Sequence, residues 1–176
     1  MSTTGRLTPP DGIREDHARP LEGWRRHASP LGLVVFGAVI GLAMTGILGH
    51  ERDWRADANG VVLQIHAPET TRSGEFLEMR VRVTSAAPIG ELAIGVEGSL
   101  WEDLTVNTLI PAATEEESAN GEVRFVFAAL AADTAFDLKV DLQVNPDIVG
   151  GNDGRVTVYD GGRALVGTRI SIMVLP

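Results

Sequence analysis

The sequence predicts an all-β chain: a two-sheet antiparallel sandwich of about seven or eight short strands, preceded by one transmembrane helix and a disordered tail. Leu31–Gly49 runs without a single charge. Leu77, Met79, Val81 and Val83 alternate with Glu78, Arg80, Arg82 and Thr84, and the same two-residue period returns over Phe136–Val144. Charge follows the same division. Residues 1–30 hold five Arg against four acidic residues, whereas residues 50–176 hold ten basic against twenty acidic, a net of −10 within a chain total of −9.

The absence of cysteine among the 176 residues excludes disulfide frameworks, thiol nucleophiles and thiolate metal sites. An acidic balance disfavours phosphate backbones, so no nucleic-acid partner is expected. Of the fifteen basic residues only Lys139 is not Arg, a usage that points to a GC-rich bacterial source rather than to chemistry.

Residues 1–29 read as a disordered cytoplasmic tail and 30–49 as the membrane helix. Nineteen uncharged residues at about 1.5 Å each make roughly 28 Å of helix, near the thickness of a hydrocarbon core. Pro30 stands where a helix start tolerates a missing N–H, and Trp24 and Trp54 flank the run as interfacial anchors. Arg14, Arg19, Arg25 and Arg26 before the helix outnumber Arg52 and Arg55 after it, which places the N-terminus inside a bacterial cytoplasmic membrane and the C-terminal part outside. A cleaved signal ending at Ala56-Asp57-Ala58 is the alternative, disfavoured by the length of the apolar run and of the leading tail. Within the run, Gly37, Gly41, Thr45 and Gly49 recur every fourth residue, a stripe on which another helix can approach closely, in self-association or on a membrane partner. Glycine is also simply common in such spans, and the two readings stay level.

Residues 50–59 are expected as a juxtamembrane linker and 60–176 as the sandwich. Beside the two alternating stretches, Val61–Ala67, Ile89–Val96, Leu104–Ile110, Glu122–Ala128, Arg155–Tyr159 and Leu165–Val174 have strand character. Ser73-Gly74, Asn120-Gly121, Asn145-Pro146, Asn152-Asp-Gly154 and Asp160-Gly-Gly162 supply the turns, the last a hairpin signal. A closed barrel is the structural alternative. In strand rhythm the domain resembles immunoglobulin-like (CARDB-like) modules, and the whole arrangement resembles bacterial single-pass membrane proteins with such a domain outside the membrane. The resemblance implies adhesion, scaffolding or protein contact.

Candidate sites are few. His17, His27, His50 and His66 stand without a second ligand at metal spacing, and His66, on a strand, reads as a surface or hydrogen-bonded residue. Met79 and Met173 read as core residues. No GxSxG elbow is present, and the Asn- and Asp-rich stretch Asn145–Gly154 departs from calcium-loop spacing. No catalytic residue, metal ligand or cofactor is therefore assigned. Trp101, Leu104, Leu109 and Ile110 form a candidate partner patch, set against the plainer reading in which Trp101 fills the core. Ala112–Ser118, with three glutamates, reads as a charged loop. The function expected is a non-catalytic, membrane-anchored interaction protein that contacts a membrane or envelope partner. An envelope ligand-binding module, for a glycan or a metal ion, is the alternative, and an enzyme the most distant reading.

Overall fold

The computed structural model describes residues 24–45 and 49–176, with side chains from residue 30 onward. The chain divides into two units, Met1–Ile47 and Leu48–Pro176.

Among the described residues of the first unit is a helix, α1 (Trp24–Met44), of 21 residues with Pro30 inside it. Residues 24–29 are thus helical rather than disordered, although Pro30 removes one backbone hydrogen bond from the turn before it. Residues 1–23 of the expected tail lie outside the described residues. Among the described residues no helix is long and apolar enough to cross a membrane. The uncharged run continues past Met44 to Gly49, and its residues 46–48 are not among those described.

The second unit contains β1 (Glu51–Ala58), β2 (Val61–Pro68), β3 (Thr70–Arg72), β4 (Phe76–Ser85), β5 (Leu92–Glu97), α2 (Gly98–Trp101), β6 (Leu104–Ile110), β7 (Glu115–Ala119), β8 (Glu122–Val126), β9 (Ala135–Val144), β10 (Gly150–Asp160) and β11 (Arg163–Leu175). They form two sheets, ordered β1-β2-β4-β9-β6 and β3-β11-β10-β5-β8-β7. The expected all-β, two-sheet sandwich is the architecture. A closed barrel is not, since each sheet ends in two edge strands.

Alternation decides which side chains meet between the sheets. Leu63, Ile65, Met79, Val83 and Leu142 from one sheet and Leu92, Ile94, Val156, Ile170 and Ile172 from the other are all almost fully buried. Three hairpins close on two-residue turns with both residues free to adopt positive φ: Asn59-Gly60 (55° and 72°), Asn120-Gly121 (55° and 77°), and Gly161-Gly162, where Gly161 stands at 54°.

The eleven strands exceed the seven or eight expected, and two of the additions have a clear physical reason. Residues 50–59, expected as a linker, instead form β1, paired with β2 from Glu51↔Pro68 to Ala58↔Val61. Five of its eight residues are charged because it is an edge with one face in water. Trp54, expected at a membrane interface, is buried in the core instead. Glu115–Ala119, expected within a loop, is the edge strand β7, which no apolar alternation marks because all five of its residues are exposed. Met173 is 46% exposed rather than in the core, facing out opposite Gly151.

Candidate functional site

The outer face of the five-stranded sheet carries the densest charge pattern of the domain. Its rows follow from the register. Asp53, His66, Arg80 and Lys139 stand side by side on β1, β2, β4 and β9, and the adjacent row is Arg55, Gln64, Arg82 and Asp137. These are the polar half of each alternating strand, whose other half builds the core. Between the rows lies an open groove of about 460 Å³, with Arg55, Gln64, His66, Arg80, Arg82 and Asp137 among its lining residues.

His66 is held from both sides. Its Nδ1 lies 2.8 Å from Asp53 Oδ1 and its Nε2 3.0 Å from Glu51 Oε2. Only the imidazolium can donate to both carboxylates at once. Hydrogen bonding to Asp53, then to Glu51, raises the His66 pKa above its ordinary 6.5 against an opposing effect of burial. Arg80 faces the ring from β4, with its guanidinium engaged by Glu78 at 2.5 Å. Because the folded pKa is the higher one, this contribution to stability is complete below pH 6.5 and is lost as pH rises through the folded value. Wild-type protein is therefore expected to lose thermal stability on going from acid to mildly alkaline pH. His66→Gln should flatten that slope, as read by melting curves across the range.

The same geometry argues against two other chemistries. The carboxylates occupy opposite ring nitrogens, so the three groups do not close on one ion, and among the described residues no cluster of three metal-capable side chains occurs. An Asp–His pair also serves nucleophilic catalysis. Here the neighbours of His66, namely Arg80 across the ladder and Gln64 and Pro68 on its own strand and face, carry neither hydroxyl nor thiol.

Farther along the face, Lys139 Nζ lies 2.8 Å from Glu78 Oε2 and 3.2 Å from Asp141 Oδ1. Lys139, and then Arg80, hold the Glu78 carboxyl below its ordinary pKa. The six-stranded sheet has its own polar cluster. Arg124 Nε donates to Glu122 Oε1 at 2.6 Å, Tyr159 Oη donates to Glu122 Oε2 at 3.0 Å, and the Arg124 guanidinium lies 4.1 Å from the Tyr159 ring centroid. Gly95 makes room for it, since a Cβ there would come within 2.6 Å of Glu122 Cδ and 2.8 Å of Tyr159 Cε2. These groups satisfy one another, and the cluster is a structural one.

The residues singled out in the sequence are placed as follows. Gly37 and Gly41 lie on α1, Thr45 just beyond its end and Gly49 shortly before β1; a Cβ added at Gly37, Gly41 or Gly49 would meet nothing within 4 Å, so the small-residue positions are open. Trp101 and Leu104 are core residues rather than parts of an exposed patch. Trp101, on the short turn of α2, packs edge-to-face on Phe125 with centroids 6.5 Å apart. Leu109 is partly buried, and Ile110 alone of the four is well exposed, at 54%. The groove itself escaped sequence reading because its outer wall, Asp53, Trp54 and Arg55, is β1. Asn59-Gly60 between two extended runs is the signal that marks that hairpin.

No protein-family model and no curated protein matches the chain. Among solved structures similar to it are the CARDB domain of a Pyrococcus furiosus protein in complex with di-metal ions (11% identity, TM-score 0.45, covering 70% of this chain and 95% of that one). Others are CaCohA2 from Clostridium acetobutylicum (14%, 0.40, 60% and 84%) and a non-cellulosomal cohesin from the archaeon Archaeoglobus fulgidus (11%, 0.39, 61% and 86%).

Proposed function

We propose that the chain is a non-catalytic interaction protein anchored in the bacterial cytoplasmic membrane. Its sandwich stands outside and contacts another membrane or envelope protein through the charged face of the five-stranded sheet. The observation that carries this reading is the groove, where Arg55, Arg80 and Arg82 line one open face of a domain whose net charge is −10. A concentration of guanidinium groups on an otherwise acidic surface fits carboxylates of a partner, because the planar fork binds them in pairs of hydrogen bonds. Arg82 is held only loosely by Asp137, at 3.5 Å, and is free to exchange that contact for an intermolecular one.

The anchor is supported by the uncharged run from Leu31 to Gly49 and by the exposure of Leu33, Val34 and Phe36 on α1, each above 60%. Surface of this kind is costly in water and favourable in lipid. Retention of the helix fits the sandwich as well, since cleavage after Ala58 would remove β1 and take Trp54 out of the core. Tethering then raises the local concentration of the domain near its neighbours.

The test is purification of the full chain in mild detergent after an alkaline membrane wash. The chain is expected to stay in the membrane fraction and to bring a stoichiometric partner. Arg55→Glu combined with Arg82→Glu should release that partner while leaving the melting temperature nearly unchanged, exposed charge pairs being worth about 0–1 kcal/mol. Wild type and variant purifying alike, both alone or both with the same partner, would refute the groove as the contact.

A further inference from the structure

We infer that the free edge of β6 is a strand-addition site that receives an extended segment of a partner protein, uncharged along its length and basic at one end. The inference goes beyond the proposed function: it concerns a different surface, a partner of opposite charge, and no residue of the arginine groove.

The four sheet edges differ in kind. β1 and β6 end one sheet, β3 and β7 the other. An exposed edge offers unpaired N–H and C=O groups to any passing strand, and chains normally guard against this with charge, proline or brevity. Five of the eight residues of β1 are charged. β7 opens with Glu115, Glu116 and Glu117. β3 is three residues long and ends in Arg72. β6 reads Leu-Thr-Val-Asn-Thr-Leu-Ile, with neither charge nor proline. It pairs with β9 alone among the described strands, and its single irregularity is a register shift between Val106 and Thr108. A seven-residue strand rich in Thr, Val, Leu and Ile, interrupted only by the bulge at Asn107 where the other edges are charged or short, is the edge most open to pairing.

The face beside this edge offers apolar surface. A hollow of about 420 Å³ lies over β4, β9 and β6, with Phe76, Glu78, Asn107, Thr108 and Asp141 in its wall. Phe76 is 69% exposed and Ile110 54%. In an added strand every second side chain would point to this face, where an apolar residue would cover Ile110 on β6.

Charge selects the occupant. Glu102 and Asp103 immediately precede β6, and the domain carries −10 overall. A strand with Arg or Lys at the end meeting those carboxylates is attracted, whereas a second copy of this domain brings its own −10 and is repelled.

The experiment uses the full chain in detergent micelles and a short fluorescent peptide of alternating Val and Thr with Arg at one terminus, prepared with the Arg at either end. Saturable binding by one orientation is expected, with slowed amide exchange at Thr105–Ile110. Thr108→Lys with Ile110→Lys, both at exposed positions, should weaken the peptide about tenfold or more through like-charge repulsion on the edge. Glu102→Lys with Asp103→Lys should abolish the preference for the Arg peptide over its Glu counterpart. Arg55→Glu with Arg82→Glu should leave peptide binding intact, which separates this site from the groove. No binding at millimolar peptide, equal affinity for the lysine variant, or a wild-type dimer that those lysines dissociate would each overturn the inference, the last by giving the edge to a second copy.

Discussion

Trp54→Ala is expected to lower the stability of the sandwich by about 3–5 kcal/mol. For a domain whose total stability is of the order of 5–15 kcal/mol, that is about a fifth or more of what holds it folded. The indole is 9% exposed within the core, and the Arg52 guanidinium lies 5.5 Å from its ring centroid. Trp54 and Ala56 are the residues β1 points inward, so truncating the larger one leaves a cavity and removes most of the apolar hold on an edge strand. Trp54→Phe should cost clearly less, because a ring still fills part of the space. Chemical denaturation read by fluorescence and circular dichroism measures both. A loss below about 1 kcal/mol for Trp54→Ala would mean that β1 contributes little and that residues 50–59 act as a linker after all.

Gly154→Val is the second large effect, expected at about 3 kcal/mol through overpacking. A Cβ on Gly154 would stand 2.8 Å from Leu100 Cβ, 3.1 Å from Leu100 N and 3.2 Å from Ser99 Oγ. Two of those three atoms belong to a residue with no exposed surface, and α2 is fixed from its other end by the Gly98 N–H donating to the Gly121 carbonyl at 2.6 Å. The turn of α2 therefore has no direction in which to retreat. Gly151 on the same strand makes a control: a Cβ there would meet only Met173 Cε at 3.7 Å, and Gly151→Ala should fall within about 0.5 kcal/mol of wild type. Thermal melting of the pair reads the difference directly.

Most of the interior was legible in the sequence because alternation and burial are one signal there. β4 and β9 lie within a residue of their expected limits at each end, and β6 runs from Leu104 to Ile110 as expected. Legibility failed at the margins of the sheets. On an edge strand one backbone side and much of both faces meet water, so β1 needs only Trp54 and Ala56 to be apolar, and β7 needs nothing. Of the two readings of Leu100–Pro111, the plainer holds for Trp101, which the tight turn of α2 carries inward, while the strand after it leaves Ile110 outside. The candidate site was hidden for a related reason. Asp53 and Glu51 are thirteen and fifteen residues from His66 along the chain, and the hairpin at Asn59-Gly60 alone brings them to its ring.

That hairpin has a mechanical consequence. A pull applied along the chain ahead of Glu51 would reach the domain at the first rung of β1, Glu51↔Pro68, and peel the rungs one after another, the weakest way to break a ladder, rather than shearing them together. The side-chain clasps of β1 are gathered at that vulnerable end: Arg52 with Glu69, and Glu51 and Asp53 with His66. The force needed to begin unzipping should then fall as the imidazole loses its proton, so acidity would set how firmly β1 stays zipped to β2.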